Sequence, residues 1–304
     1  MNKYKKFISA HWFGIAVVIV LFLAAILRFY NYQNRWGLAY DQARDVLVAR
    51  EALRNFSLPL IGPFASAGQF VYGPQWYWIL MAMIGIYPNA VMTPWIIQTA
   101  LYVFAVFLMI EIGREIGGKF LGIIIGFLTA ISTAQISQST NLTSPSMVGI
   151  LSVVSLYFFI KYVKYNKTAS AFWMSFMIAT SVNVHFQVIG LLFLLPIAFI
   201  FDKNKTLKKA FVLILGVIIP FIPLIIFDIT NKFFESRNWI EYFRYGQYAI
   251  YIPNRWLTYA GVYWPNSWAK IVGGEMFIGY LVPILLAILV IFIAVRRKLT
   301  RIMT

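Results

Sequence analysis

The sequence contains no cysteine and few acidic residues. Without cysteine the chain has no disulfide, thiolate metal site or cysteine nucleophile, and its redox compartment stays undetermined. Asp and Glu contribute only 10 of 304 residues and are scattered, so we propose no cation site and expect no metal or cofactor. Hydrophobic residues make up 61% of the chain, which excludes a soluble domain and predicts an all-α polytopic membrane protein.

Basic residues far outnumber acidic ones, 26 to 10. They collect in short stretches between apolar runs, where they indicate membrane topology and not a nucleic-acid partner. Taking each basic cluster as cytoplasmic predicts about eight transmembrane helices in the cell membrane (plasma or inner membrane), with both termini inside. These spans are residues 12–29, 93–112, 120–136, 147–160, 169–184, 188–201, 211–227 and 276–295. The prediction divides the chain into a core of residues 1–227 with a first external loop at 31–92, an external loop domain at 228–275, and a last helix with a basic tail at 276–304.

The first external loop contains the stretch that organises the rest. From Asp41, the apolar residues Val46, Ala49, Leu53 and Phe56 recur at steps of three and four, which predicts a short amphipathic helix over 38–56, lying on the membrane surface. Asp41 falls at the helix start, where a carboxylate can cap free amides. Arg44 and Asp45 follow on the same outward polar face.

A second helix of this loop, residues 76–87, is short and apolar. If it crossed the membrane, the basic turn at 114–119 would fall outside, so we predict that it lies on the surface or re-enters. Aromatic residues are dense here and in the 228–275 segment, and we interpret most of them as an interfacial belt. They are Trp76, Tyr77, Trp78, Trp239, Tyr242, Trp256, Tyr263, Trp264 and Trp268.

The chemically capable residues collect on the non-cytoplasmic side, although Lys and Arg alone fixed that assignment. They are Asp41, Arg44, Asp45, Tyr72, Gln75, Asn141, His185, Gln187, Asp228, Lys232, Arg237 and Glu241. Ionisable residues at the ends of spans have a low energetic cost, because their side chains reach the lipid headgroups. A carboxylate, a histidine and an arginine converging on one side nevertheless suit a transfer reaction on a lipid phosphate, which needs a proton acceptor and groups that hold the phosphate.

Several motifs resemble those of prokaryotic integral-membrane glycosyltransferases of the GT-C fold, specifically the family 39 type related to protein O-mannosyltransferases and lipid A aminoarabinose transferase. In order they are YDQARD, LIGPFASAGQFVYGPQWYW, GREIGGK, SQSTNLTSPS, VHFQ and PLIIFDITNKFFESRN. The resemblance implies a GT-C-like helical bundle with surface-lying helices in a long first external loop. It also implies a polyprenyl-phosphate sugar donor, a glycan, lipid or protein acceptor, and inverting transfer on the outer or periplasmic face.

The family's essential aspartate just after the first span matches Asp41, which the resemblance makes the catalytic base. We expect Arg44, Asp45, Tyr72 and Gln75 to support it. For the donor phosphate we expect Arg237, Lys232 and His185. Several of these residues have an alternative, non-catalytic interpretation, and so does Asp228. The alternatives are Asp41 as a helix cap, Asp45 as a structural residue, Arg237 as a solvated loop residue, Lys232 as a headgroup contact and Asp228 as a span cap.

The chain departs from the family in three respects. It has Asp41-Gln42 where many members have Asp-Glu, its proline motif is reduced to Tyr72-Gly73-Pro74-Gln75, and it is shorter than its relatives. Two alternatives therefore stay open: a transporter or flippase for a lipid-linked sugar, and a non-catalytic, truncated family member.

Overall fold

The computed structural model of the chain describes residues 3–202, 204–246, 253–272 and 275–303. Within these ranges the regular elements are all helices, apart from an isolated bridge between Phe64 and Val71. The predicted all-helical class is therefore confirmed. The α-helices are α1 (Lys3–Phe29), α2 (Tyr40–Arg54), α3 (Gln75–Ile86), α4 (Thr93–Ile131), α5 (Thr133–Thr140), α6 (Ser144–Tyr165), α7 (Thr168–Val184), α8 (Leu194–Phe201), α9 (Leu207–Thr230), α10 (Phe234–Arg244), α11 (Arg255–Thr258), α12 (Trp264–Val272) and α13 (Met276–Met303).

The chain forms two compact units. The larger contains Met1–Ile131 and Ile136–Gln247, and the smaller contains Ser132–Gln135 and Tyr248–Thr304. In the larger unit α1 packs on α4, α6 packs on α4 and α7, and α7 packs on α9, while α2 lies against α3. The predicted division at residues 227 and 275 follows membrane sides and stays a prediction.

Among the residues that the structure describes, four helices are long and apolar enough to cross a membrane. They are Ala10–Phe29, Thr93–Ile131, Ser144–Tyr165 and Leu207–Thr230, with a fifth if the bent pair Arg255–Ile271 and Met276–Leu289 counts as one span. A multi-pass membrane protein is consistent with this count, but the predicted eight spans are not confirmed.

The long helix α4 is a hairpin rather than a straight rod. Its backbone leaves the helical region at Gly117 and Gly118, and Gly118 has φ +87° and ψ 179°, a conformation for which glycine is suited. A Cβ on Gly113 would lie 2.8 Å from the Cα of Gly122, so the two arms run back along each other in close contact. The predicted reversal at 114–119 is confirmed.

Two predicted spans have different bounds in the structure. Helix α6 begins at Ser144, so part of the stretch predicted to be a polar loop is helical; Thr143 caps it by accepting from the Ser146 amide. The predicted span at 188–201 is a 3₁₀ helix (Phe186–Phe193) followed by α8, and these form a shorter apolar helix than the candidates above. Within that 3₁₀ helix Val188 leaves helical geometry, which interrupts regular α-helical bonding.

Polar networks mark two opposite ends of the larger unit. At one end Glu115 of the α4 turn binds Lys161 and Lys164 of α6, at 2.7 and 2.8 Å. At the other end Ser146 accepts a hydrogen bond at its carbonyl from Tyr102. Because α6 rises about 1.5 Å per residue, these ends are roughly 25 Å apart. The turn at 114–119 and the lysines of α6, all predicted to be cytoplasmic, lie together at the end that contains Glu115. The basic N-terminus, Lys203 and the basic C-terminal tail lie outside the described side chains.

Two arginines fix the position from which α2 starts. Arg28 is fully buried and donates to the carbonyl oxygens of Ala130 (3.0 Å) and Thr129 (3.2 Å). Arg35 donates to Leu27 (2.9 Å) and Ile136 (3.1 Å). Both donate to backbone carbonyls of other helices, and so tie α1 to α4 and α5 just before the first external loop begins.

Candidate functional site

The organising helix exists, but it starts differently from our prediction. It begins at Tyr40, and its N-cap is Ala39, which supplies no side-chain bond. Gln42 takes that role: its Oε1 accepts from the Ala39 amide at 3.0 Å, and its Nε2 donates to Asn141 Oδ1 at 3.0 Å. The prediction that Asp41 caps the helix is therefore wrong. Asp41 stands in the first turn with its side chain 65% exposed.

A charged cluster lies one turn further along α2. Arg44 Nη1 contacts Asp41 Oδ1 at 3.0 Å, while Arg44 Nη2 contacts Asp45 Oδ1 at 2.8 Å. Asp45 Oδ2 accepts a hydrogen bond from Trp76 Nε1 at 2.7 Å. The prediction that Asp45 faces outward is wrong, because Trp76 of α3 covers it and only 3% of the residue is exposed. One guanidinium thus joins an exposed carboxylate to a buried one.

Burial shapes the electrostatics of this cluster. It raises the pKa of Asp45, and the hydrogen bonds from Trp76 and Arg44 act against that rise. Burial and the negative charge of Asp45 raise the pKa of Tyr77 to about 12, so its hydroxyl stays protonated. The interpretation of the aromatic residues as an interfacial belt is wrong for Trp76 and Tyr77, because Trp76 is fully buried and Tyr77 is 6% exposed.

Tyr72 and His185 form a second group. Their side chains share a hydrogen bond of 2.9 Å between Tyr72 Oη and His185 Nε2, and the rings stack at 4.5 Å. Burial raises the pKa of Tyr72 and lowers that of His185. A lowered histidine pKa favours the neutral ring, which attracts a phosphate less than an imidazolium does. The phosphate role of His185 stays a prediction.

Gln75 connects the two groups from the interior. It is buried, and its Nε2 donates to the Pro220 carbonyl of α9 at 2.5 Å. The Gly73 amide donates to the Asn183 carbonyl at 2.8 Å. Gln75 Oε1 and Asn183 Oδ1 are buried and have no hydrogen-bond partner among the residues that the structure describes, and a Cβ on Gly73 would overlap both. The segment from Tyr72 to Trp76 is therefore held between α7 and α9, and it joins the Tyr72–His185 pair to the Asp45–Trp76 bond.

Helix α10 is anchored to the same loop by a residue that sequence analysis missed. Glu235 is 4% exposed and accepts hydrogen bonds from the Val71 amide (3.0 Å) and Trp239 Nε1 (2.9 Å). Phe70 stacks on Trp239 with ring centroids 4.1 Å apart. Burial raises the pKa of Glu235, and these two hydrogen bonds oppose the rise. Its position inside FFESRN gave no signal, because burial of a carboxylate depends on contacts distant in sequence.

The remaining candidates are placed less tightly. Arg237 and Lys232 are exposed, and neither side chain makes a hydrogen bond or salt bridge with the residues that the structure describes. Both lie within or beside the anchored α10 segment. Asp228 accepts from the Glu235 amide (2.8 Å) and the Ser236 amide (3.1 Å), so it caps α10, and not the span α9 that contains it.

A cleft of about 440 Å³ opens beside the start of α2. Its lining combines hydroxyls, amides and backbone, and it holds no carboxylate: Arg35, Gly37, Leu38, Ala39, Gln42, Ser137, Thr140 and Asn141. This volume is in the range of small-molecule sites. Across the described ranges no three His, Asp or Glu side chains come together as metal ligands would, and the expectation of a metal-free site stays a prediction.

Comparison with known proteins adds no relative. No family model matches the chain, and no curated protein or solved structure matches it. The resemblance to GT-C glycosyltransferases therefore depends on the sequence motifs quoted above.

Proposed function

We propose that this chain is a membrane glycosyltransferase of the GT-C type, which moves a sugar from a polyprenyl-phosphate donor to a hydroxyl-bearing acceptor. The observation that carries the proposal is the Asp41–Arg44–Asp45–Trp76 chain of contacts. A solvent-accessible carboxylate is held in one place by an arginine, and a buried carboxylate and indole fix that arginine in turn. A positioned, accessible carboxylate is what a general base requires.

In the proposed reaction, Asp41 accepts the proton of the acceptor hydroxyl while that oxygen attacks the anomeric carbon. The new glycosidic bond forms as the bond from the anomeric carbon to the phosphate oxygen breaks. The electron pair leaves with the polyprenyl phosphate, and attack opposite the leaving group inverts the anomeric centre. A positioned base of this kind contributes about a hundred- to ten-thousand-fold to the rate.

The donor phosphate would meet the exposed cations of the α10 segment. Arg237 offers a bidentate guanidinium, and Lys232 offers a second charge. The bonds of Glu235 to Val71 and Trp239 keep α10 against the loop that carries Tyr72. A salt-dependent, charge-assisted contact there would stabilise the phosphate both before and during departure.

The decisive experiment compares Asp41→Asn with Glu51→Gln, an exposed acid later on the same helix. Purified variants in lipid vesicles receive a radiolabelled polyprenyl-phosphate sugar, and sugar released to acceptor or water is measured beside donor binding. We expect Asp41→Asn to lose turnover and keep donor binding, while Glu51→Gln keeps both.

Equal turnover by Asp41→Asn and wild type would remove Asp41 from the chemistry. Donor that crosses the bilayer without being cleaved would instead indicate a flippase. Arg237→Ala should weaken donor binding by about ten- to a hundred-fold, because a hydrogen bond to a charged group contributes about 1.5–3 kcal/mol.

A further inference from the structure

The smaller unit contains two helical segments that meet at a right angle. Residues Arg255–Ile271 and Met276–Leu289 are together apolar enough for a membrane span, but the angle between them is 91°. Their contact is close: a Cβ on Gly279 would lie 3.1 Å from the Ala269 amide nitrogen and would overlap the Pro265 carbonyl oxygen. Tyr280 Oη also donates to the Gly261 carbonyl. The angle is thus fixed by direct packing.

The first segment exposes its large apolar side chains. Trp256 is 83% exposed, Leu257 74% and Trp264 57%. Aromatic rings along one stripe also border a groove of about 490 Å³, which is lined by Trp256, Tyr259, Ala260, Tyr263, Trp264 and Ser267. Tyrosine and tryptophan have an apolar body and a polar tip, a combination that suits the boundary between headgroups and acyl chains.

The second segment exposes a similar apolar surface. Phe277, Leu285 and Ile288 are 69%, 59% and 57% exposed. Both segments therefore expose apolar side chains. Two apolar segments at 91° fit a bilayer in which one helix crosses and the other lies in the membrane plane.

The charge of the first segment selects the kind of lipid. Residues 253–272 include Arg255 and Lys270 and no acidic residue. Cations beside aromatic residues at a membrane surface are attracted by anionic headgroups. We propose that Arg255–Ile271 is an in-plane anchor at the headgroup boundary of a bilayer with anionic lipid, while helix α13, which begins at Met276, crosses that bilayer.

The absence of cysteine makes the depth of this segment directly measurable. Leu257→Cys, Trp264→Cys and Ile271→Cys place spin labels at exposed positions near the start, middle and end of the segment. The full chain is reconstituted in vesicles of phosphatidylcholine with a minority of phosphatidylglycerol, and depth is read from the relative accessibility to oxygen and a water-soluble nickel chelate. We expect all three labels at one depth, about 5–10 Å below the surface.

A crossing helix gives a different result. Leu257 and Ile271 are about 20 Å apart along a helix, so a span or re-entrant segment would give a depth gradient approaching that length. Such a gradient, or three labels that are fully water-accessible, would overturn the proposal. Leu285→Cys provides the matched control, because its label should be deeper than the other three.

The charge component has its own measurement. Removing phosphatidylglycerol should make the Leu257→Cys label shallower, and adding Lys270→Gln should reduce that difference between the two kinds of vesicle. An unchanged depth in vesicles without anionic lipid would overturn the proposed preference for anionic headgroups. The in-plane orientation is decided separately, by comparing the depths of the three labels.

Discussion

Replacing Gly73 by alanine tests the interior link between the two halves of the candidate site. The added Cβ would overlap Gln75 Oε1 and Asn183 Oδ1. Neither amide is free to turn away, because Gln75 Nε2 is bonded to the Pro220 carbonyl and Asn183 Nδ2 to the Ala179 carbonyl. The backbone amide of residue 73 is also bonded, to Asn183.

The expected cost follows from these contacts. Overpacking a filled interior typically costs about 1–3 kcal/mol, and a hydrogen bond lost when an amide is displaced adds about 0.5–1.5 kcal/mol. Gly73→Ala should therefore lower the free energy of unfolding by about 2–4 kcal/mol. For a chain of 304 residues that corresponds to a fall of roughly 3–6 °C in apparent Tm, followed by tryptophan fluorescence in detergent.

Gly85→Ala is the matched control. Gly85 lies in the adjacent helix α3 with no neighbour within 4 Å of a Cβ, so the substitution adds helix propensity without a clash. It should stabilise the chain by up to about 1 kcal/mol. A Gly73→Ala variant as stable as wild type, or one shifted in the same direction as Gly85→Ala, would refute the packing argument.

Three further outcomes are expected. Burial alone would raise the pKa of Asp202, but hydrogen bonds from Tyr162 and Lys209 outweigh it and lower that pKa to about 2. The stability that this carboxylate contributes is therefore complete above its ordinary pKa of 3.8 and is lost as the pH falls toward 2. Asp202→Asn should flatten that acid limb in a pH series of unfolding curves, and an unchanged limb would contradict the assignment. Tyr40→Cys should react with an impermeant thiol reagent in intact cells, whereas Lys164→Cys should not, and the reverse pattern would invert the topology. Arg44→Ala should reduce transfer because it frees Asp41, and it should leave donor binding unchanged; intact transfer would dismiss the positioning role.

Local patterns predicted much of the architecture. The apolar runs and their basic boundaries predicted the helical class and the reversal at 114–119, and the three- and four-residue spacing predicted α2. These features depend on hydrophobic period, charge and glycine, which are properties of neighbouring residues. The candidate list also included both partners of the Tyr72–His185 pair, since polar residues at helix ends on one side were expected to converge.

Burial and partner choice were decided only by tertiary structure. Asp41 and Asp45 are four residues apart on one helix, so their sequence pattern treats them alike; Trp76, 31 residues later, covers one of them and leaves the other exposed. The sequence around Glu235 does not distinguish it from a solvated loop acid. It accepts a hydrogen bond from the backbone amide of Val71, 164 residues away, and only the fold brings these two residues together. The sequence by itself determined a helical membrane chain with a carboxylate at the start of α2. Which carboxylates are buried, and which arginine holds them, depended on long-range packing, because desolvation and hydrogen bonding are set by groups that only the fold brings together.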